Sequence, residues 1–433
     1  MQNEPTDNEA GAEVVGSQPV ERAPRQQAEG VLGRTFSALR HPNYRLYFTG
    51  QLISVIGTWM QTVAQGWLVY QITSSALYLG LVGFAASIPV LFLGLGAGVL
   101  IDRLPRRQVL LATQSSAMLL ALILSVLVFL NIVEPWHILV LSFLLGVSNA
   151  FDGTARQAFV KDMVGKEDMM NAIALNSALY NMSRIIGPAL AGITLAAVGP
   201  AWCFLLNGLS YLAVLWGIWR MEMPAFSPPA RKESMLTDIR EGLSYIRHNE
   251  TVLILIIVVS FSSIFGFAYT TLLPAYAQDV LNTDATGLGL LSTASGVGAL
   301  LGALLMAAQS NSRHKGTVLT IGNLIFPILL IWLAFNQSML TALLLLIGIG
   351  FAFMLQNTTA NTLVQSNVPD HLRGRVMSVY MLTFFGFSPL GSLQAGIIAD
   401  QFGVPTGVAF GAIVALLFSL VILWRVPRVR QLK

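Results

Sequence analysis

The chain has 433 residues, of which 55% are hydrophobic and only 11% are Asp, Glu, Lys or Arg. Ordinary soluble domains carry about 25% charged residues, so this balance excludes a water-soluble globule. The net charge of +4 is spread over seven basic segments, a pattern suited to anionic lipid and not to a nucleic-acid patch.

Residues 1–38 are polar, rich in Glu, Gln, Pro and Arg, and lack an apolar core. They read as a disordered cytoplasmic tail, not a signal peptide. Twelve apolar runs follow, near 47–70, 77–101, 108–130, 137–157, 171–198, 202–220, 251–277, 286–309, 316–335, 339–363, 374–399 and 405–425. Roughly 20 such residues cross about 30 Å of hydrocarbon. Of the 25 Lys and Arg, 24 fall in the N-terminal tail, in alternate loops with the adjoining run ends, or at the C-terminus, and Arg184 alone falls deep inside a run. The loop after the fourth run, for example, takes Arg156, Lys161 and Lys166. Cytoplasmic loops retain Lys and Arg, so the expectation is a multi-pass protein of the cytoplasmic membrane with both termini inside. The single Cys203 excludes an intramolecular disulfide.

The first run carries Gln51, Ser54, Thr58, Gln61 and Gln65 at spacings of 3, 4, 3 and 4, which puts them on one helical face. A polar stripe is costly against lipid, so it faces protein or a water-filled cavity. Trp59 and Trp67 flank it and offer stacking surfaces. Two readings stay open here: a cavity lining, and a hydrogen-bonded seam between helices. After the second run the chain reads Gly98-Val99-Leu100-Ile101-Asp102-Arg103-Leu104-Pro105-Arg106-Arg107. Asp102 with Arg103, Arg106 and Arg107 can form charge-assisted hydrogen bonds to neighbouring helix ends. Such bonds are expected to hold the cytoplasmic side closed and to break during a cycle. A plain topology signal is the alternative.

Asp152, toward the inner end of the fourth run, and Arg184, near the middle of the fifth, are the two clear intramembrane charges. Such groups mark functional sites by default, although a depth gap of roughly 10 Å at 1.5 Å per residue leaves their direct pairing open. The fifth run also carries Asn176, Tyr180 and Asn181, then Gly187 and Pro188, which permit a kink and close packing. Residues 221–250 form a linker with Pro224, Pro228 and Pro229, followed by a short helix from Ser234. Leu236, Ile239, Leu243 and Ile246 on one face make it an interfacial amphipathic helix expected to tie two halves together. The tenth run adds Gln356, Asn357, Asn361 and Gln365.

The linker separates two groups of six runs, 39–220 and 251–426, with a tail at 427–433. An offset of 204 residues maps Gly83, Gly94, Gly98, Gly146, Gly187, Gly192 and Gly199 onto Gly287, Gly298, Gly302, Gly350, Gly391, Gly396 and Gly403. Chance gives roughly one or two such matches at ordinary glycine frequencies. Six spans preserve orientation, so the halves read as parallel copies, with a site expected at their shared interface near the midplane. The fold class is an all-α membrane protein of twelve transmembrane helices in two six-helix repeats.

The loop string from Gly98 to Arg107, with twelve spans in two repeats, resembles the major facilitator superfamily over about residues 40–425. The second copy keeps Gly302 but has Met306 in place of Asp102, with Arg313 and Lys315 left from the basic cluster. Arg184 to Gly192, including Gly187-Pro188, is similar to the Gly-Pro motif of the superfamily's exporters, although Ser183 stands where a glycine is expected. Val368-Pro369-Asp370-His371-Leu372-Arg373-Gly374-Arg375-Val376 resembles the branch with bacterial siderophore and macrolide exporters. The resemblance implies a proton-coupled exporter working by alternating access. Its substrate cavity is expected to use Gln51, Thr58, Gln61, Gln65, Asn181, Arg184, Gln356 and Asn357, and its coupling Asp152 and Arg184. Many amides and aromatics with few charges suit a bulky, largely neutral or zwitterionic organic molecule. Expected partners are that solute, protons and lipid, with no nucleic acid, no metal, no resident cofactor and a monomeric state. No G-x-x-x-x-G-K-[ST] string or nucleophile motif occurs, so neither ATP coupling nor an enzyme is expected. An importer or facilitator of a small nutrient stays open, as does a non-transporting receptor or assembly factor.

Overall fold

The structure, a computed structural model, describes residues 36–165, 167–223, 235–309, 314–426 and 430. The expected disordered tail therefore lies almost wholly outside the described residues, as do the linker prolines, Ser234, Arg313 and most of 427–433. The helices, in chain order, are α1 (Pro42–Thr73), α2 (Ala76–Arg103), α3 (Arg106–Phe129), α4 (Pro135–Met163), α5 (Met169–Val198), α6 (Pro200–Arg220), α7 (Met235–His248), α8 (Glu250–Val280), α9 (Ala285–Ala308), α10 (Lys315–Phe335), α11 (Met339–Ser366), α12 (Asp370–Phe402) and α13 (Val404–Arg425). Eleven of them are long and apolar enough to cross a membrane. The α1 helix has the length, at 32 residues, but its Gln, Ser and Thr stripe dilutes its apolar character. It is held by protein instead, packing along α5 and α6.

Helix starts follow local chemistry. Pro42, Pro135 and Pro200 occupy first-turn positions, where a missing N–H removes no helical bond. The side chains of Asn249 and Asp284 cap α8 and α9 by accepting from Val252 N and Gly287 N, each at 3.1 Å. The two copies match at backbone level. Gly199 and Gly403, equivalent by the offset, both open the last helix of their half at φ +86° and +87°, a left-handed conformation that glycine adopts without strain. Gly187 takes α5 onto α1 at Ile56 and Trp59, and its counterpart Gly391 takes α12 onto Ile264 of α8.

Between the halves, α2 crosses α12 and α5 crosses α9. Both crossings close on glycine. A Cβ on Gly396 would lie 2.9 Å from Gly80 Cα, and one on Gly289 2.7 Å from Gly192 Cα. Close approach of small residues is how helices associate in lipid. The residues that meet, 76–91 with 386–400 and 184–192 with 285–296, belong to the helix portions remote from the basic loops. Toward the basic loops the same helices turn large side chains outward: Phe92 is 73% exposed, Tyr180 51% and Phe385 54%. Among the described residues, the contacts between the halves gather at the end remote from the basic loops.

Two expectations change. The α4 helix runs to Met163, six residues past the end of its apolar run, so Arg156 is helical and sits one turn from Asp152 instead of in a loop. The described contacts of the linker helix α7 are with the second half. Its Tyr245 hydroxyl donates to Asn367 O at 3.1 Å, Glu241 pairs with Arg375, and Ile246 is buried. Leu243 stays exposed, so the four-residue face splits between protein and surroundings, and the placement of the Leu236 side chain lies outside the description.

Candidate substrate site between the halves

The polar stripe of α1 divides into a seam and an open edge. Gly57 lets α6 come so close that a Cβ there would lie 2.6 Å from Asn207 Oδ1 and Ser210 Oγ. Asn207 Nδ2 accordingly donates to Gln61 Oε1 at 2.6 Å. Gln65 Nε2 donates to Ser142 Oγ of α4 at 2.7 Å, and Thr58 Oγ1 donates to Ser54 O at 2.9 Å and lies 3.4 Å from the Tyr211 hydroxyl. Gln51 and Ser54 are buried, and the Gln51 amide has no hydrogen-bond partner. Gln51 and Gln61, expected in a cavity lining, are thus turned into protein. Exposure on this face falls to Thr58 and Thr62, and Thr62 was not anticipated. Helical spacing placed the stripe correctly, but a stripe that spans about a third of the circumference touches two neighbours and a gap at once.

Asp152 is buried and fully engaged. It accepts from Thr113 Oγ1 at 3.1 Å and Gln114 Nε2 at 2.6 Å, and it pairs with Arg156. Asp152 and Arg184 are therefore separate sites. Tyr47 and Tyr180 lie within electrostatic reach of Arg156, which extends the network toward α1 and α5. In α5, Asn176 Oδ1 accepts from the Tyr44 hydroxyl at 3.2 Å, and Asn181 Nδ2 donates to Ser177 O at 2.9 Å.

Arg184 stands at the inner edge of the seam between α5 and α9. Its guanidinium carbon is 5.8 Å from the centre of the Trp59 ring on α1, a cation–π distance. Tyr269 of α8 lies within electrostatic reach, and its hydroxyl is 3.0 Å from Ser295 Oγ of α9. The backbone around Arg184 is unusual too. Pro188 has no N–H to give to the carbonyl of Arg184 four residues earlier. That oxygen faces Gly296 of α9, where a Cβ would lie 2.9 Å away, and Thr293 Oγ1 donates to Ile185 O at 3.3 Å. Gly-Pro in α5 thus serves the seam with α9 within one continuous helix.

The second half presents a different wall. Gln356 Nε2 donates to Ser262 Oγ, while its Oε1 is buried without a partner. Asn357 Oδ1 accepts from the Tyr380 hydroxyl at 3.0 Å. Beside them Phe267, Phe353, Phe384 and Phe326 form one aromatic cluster, with ring centres 5.0 to 6.5 Å apart. The void at Gln356 has room for about one water. Gln356 and Asn357 are therefore tied within their own half.

A family model described as "transmembrane secretion effector" matches residues 33–433. The chain belongs to this family, a branch of the major facilitator superfamily. It is 27% identical over 363 residues to the staphyloferrin A transporter of Staphylococcus aureus, covering 83% of this chain and 90% of that one. It is 27% identical to the multidrug efflux pump Tap of Mycolicibacterium fortuitum (87% and 93% covered). It is 26% identical to the enterobactin exporter EntS of Salmonella typhi (90% and 94%). Among solved folds, the bacterial homologue of the lysosomal transporter Spinster, inward-facing and unoccupied, superposes with a TM-score of 0.67 at 14% identity over 93% of this chain and 98% of that one. The nucleoside transporter NupG gives 0.68 at 13% identity over 91% and 100%.

In this major facilitator transporter the described bonds of the loop after α2 fall within its own half. Arg106 Nη1 donates to both oxygens of Asp162 at 2.7 and 2.8 Å, and Arg107 caps α6 at Ile218 O and Trp219 O, at 3.1 and 2.7 Å. Arg103 is exposed, Gly98 lies 4.0 Å by its added Cβ from Thr154, and the side chain of Asp102 is outside the description. The expected clamp is one that breaks during the cycle, and among the described residues the contacts between the halves lie at the opposite end. Asp400 of α12 accepts from Ser75 Oγ at 2.7 Å and from Leu77 N at 3.3 Å, capping α2 across the boundary, and Asp279 accepts from Tyr70. Sequence reading missed both, although carboxylates in loops without Lys or Arg were a visible signal. At the basic end, Asp168 takes His41 Nε2 at 2.8 Å. Hydrogen bonds from Ser37, then His41, hold its carboxyl below the usual range.

Proposed function

We propose that the transporter exports a bulky organic solute, siderophore- or drug-like, from the cytoplasm by alternating access driven by an inward proton gradient. One observation carries this reading. The described contacts between the halves, glycine seams and carboxylate bonds, lie at the end remote from the basic loops, and Arg184 packs on Trp59 at the inner edge of the seam between α5 and α9. With the basic loops cytoplasmic, this is a form open to the inside, ready to load. The named roles of Tap and EntS as efflux pump and exporter support outward net flux. Asp152 is the proposed proton carrier. Protonation removes its charge from Arg156 and unsettles a network that touches α1, α3, α4 and α5.

The test is dye accumulation in everted vesicles. Imposing an interior-acid gradient should drive uptake with the native chain. Asp152→Asn should abolish the gradient dependence while exchange of preloaded dye persists. Uptake only into right-side-out vesicles would establish the importer reading, and absence of any flux would favour a receptor.

A further inference from the structure

We propose that Arg184 and Trp59 recognise an acidic group of the solute, so that the transporter selects monoanionic organic carboxylates over uncharged molecules of the same shape. This deepens the export reading and rests on it. Its first support is charge balance inside the spans. Asp152 and Arg156 neutralise each other within one helix. Arg184 has no carboxylate, carbonyl or hydroxyl partner among the described residues, only the Trp59 ring. Arginine keeps its proton in proteins, and an intramembrane cation without a counter-charge is costly. An arriving anion relieves that cost, so the empty site favours a negatively charged visitor.

The second support is geometry. The guanidinium carbon lies 5.8 Å from the centre of the Trp59 ring, and no described carboxylate or carbonyl takes its N–H fork. That fork matches the two oxygens of a carboxylate bidentately. Across the seam the second half is closed, its Tyr269 and Ser295 hydroxyls buried and bonded to each other at 3.0 Å. A single cation balances a single negative charge, so a dianion would carry an uncompensated charge through the membrane. The site also stands at the edge of the closed seam, where Arg184 O meets Gly296 and Ile185 O meets Thr293. A bound solute therefore touches both halves.

A third, independent support is that the residues are not part of the repeated scaffold. At the offset of 204, Arg184 corresponds to Ser388 and Trp59 to Ser263. A packing device needed by the fold would be expected in both copies.

The probes are a planar aromatic carboxylate dye and its methyl ester, with the full chain in lipid nanodiscs and binding read by fluorescence anisotropy. The native protein should bind the acid at least about tenfold more tightly than the ester. In Arg184→Gln the acid-to-ester ratio should fall to about one. Arg184→Lys, which keeps the charge but not the fork, should be intermediate, and Trp59→Leu should lower the ratio a few-fold. The proposal is overturned if the native protein shows no preference or binds neither probe, or if Arg184→Gln keeps the preference. It is equally overturned if Arg184→Gln and Arg184→Lys lose both probes alike, which marks a structural arginine. Everted vesicles separate the two claims: ester accumulation without acid accumulation keeps export and removes anion selection. A binding preference with no energised accumulation of either dye keeps the recognition site and removes export.

Discussion

The first half, α1–α6, and the second, α8–α13, share a backbone plan and differ in what fills it. Gly187 and Gly391 make the same inter-helix approach, and Gly199 and Gly403 the same corner. The polar network is one-sided. Asp152, Arg156, Trp59 and Arg184 correspond at the offset to Gln356, Ala360, Ser263 and Ser388. Where the first half holds an ion pair, the second holds an amide against a serine and a cluster of phenylalanines. Helix packing depends on small residues and backbone approach, which duplication preserves. Charge in a membrane is costly wherever it stands, so it persists where it has a task. The comparison teaches that scaffold and chemistry separate cleanly here.

The largest expected effect contrasts the two matched buried positions. Asp152→Ala leaves Arg156 without its counter-charge and should cost about 3–5 kcal/mol. Gln356→Ala removes one hydrogen bond and an acceptor that is already unpartnered, and should cost about 1 kcal/mol. Thermal unfolding in detergent measures both, and equal losses would break the asymmetry. Adding Arg156→Ala to the Asp152 variant should restore most of the stability, as a coupled pair requires.

Next come the scaffold glycines. Gly187→Ala and Gly391→Ala each push a Cβ into a neighbouring helix backbone and should each destabilise by about 1–3 kcal/mol. Matching melting shifts would sharpen the case for one packing plan, whereas a neutral Gly391→Ala would confine it to the first half.

A smaller effect is expected at the boundary between halves. Asp400→Ala removes a cap on α2 worth about 1 kcal/mol. It should also lengthen the mean distance between spin labels at Gln71 and Gln401, as the end remote from the basic loops opens more often. An unchanged distance distribution would show that the glycine seams hold that end closed alone.

The smallest effect concerns Asp168, whose carboxyl is held below its usual range. A lowered acid stabilises fully above the ordinary Asp range near pH 4, and that contribution is lost as pH falls through its folded value. Docking of residues 37–41 on Asp168, followed by a fluorophore on Phe36→Cys with the Ser37 and His41 contacts intact, should therefore weaken only below about pH 4. Asp168→Asn should flatten the profile, and a transition that persists in that variant would remove Asp168 from the role.

The twelve runs, the repeat, the one-sided basic residues and the membership they point to follow from local patterns, because span length, glycine spacing and loop charge are linear properties of the chain. Sequence likewise singled out Arg184 and Asp152 as charges in the wrong medium. It left their partners undecided. That Asp152 turns to Arg156, that Gln61 serves Asn207 while Thr58 and Thr62 stay open, and that Asp279 and Asp400 reach across the halves are matters of which helices stand beside which. A polar face has the same periodicity whether it meets a neighbour or a cleft. Only the tertiary packing, with Gly57 admitting α6 and Pro188 presenting its freed carbonyl to α9, decides which part of that face is sealed and which is left for a solute.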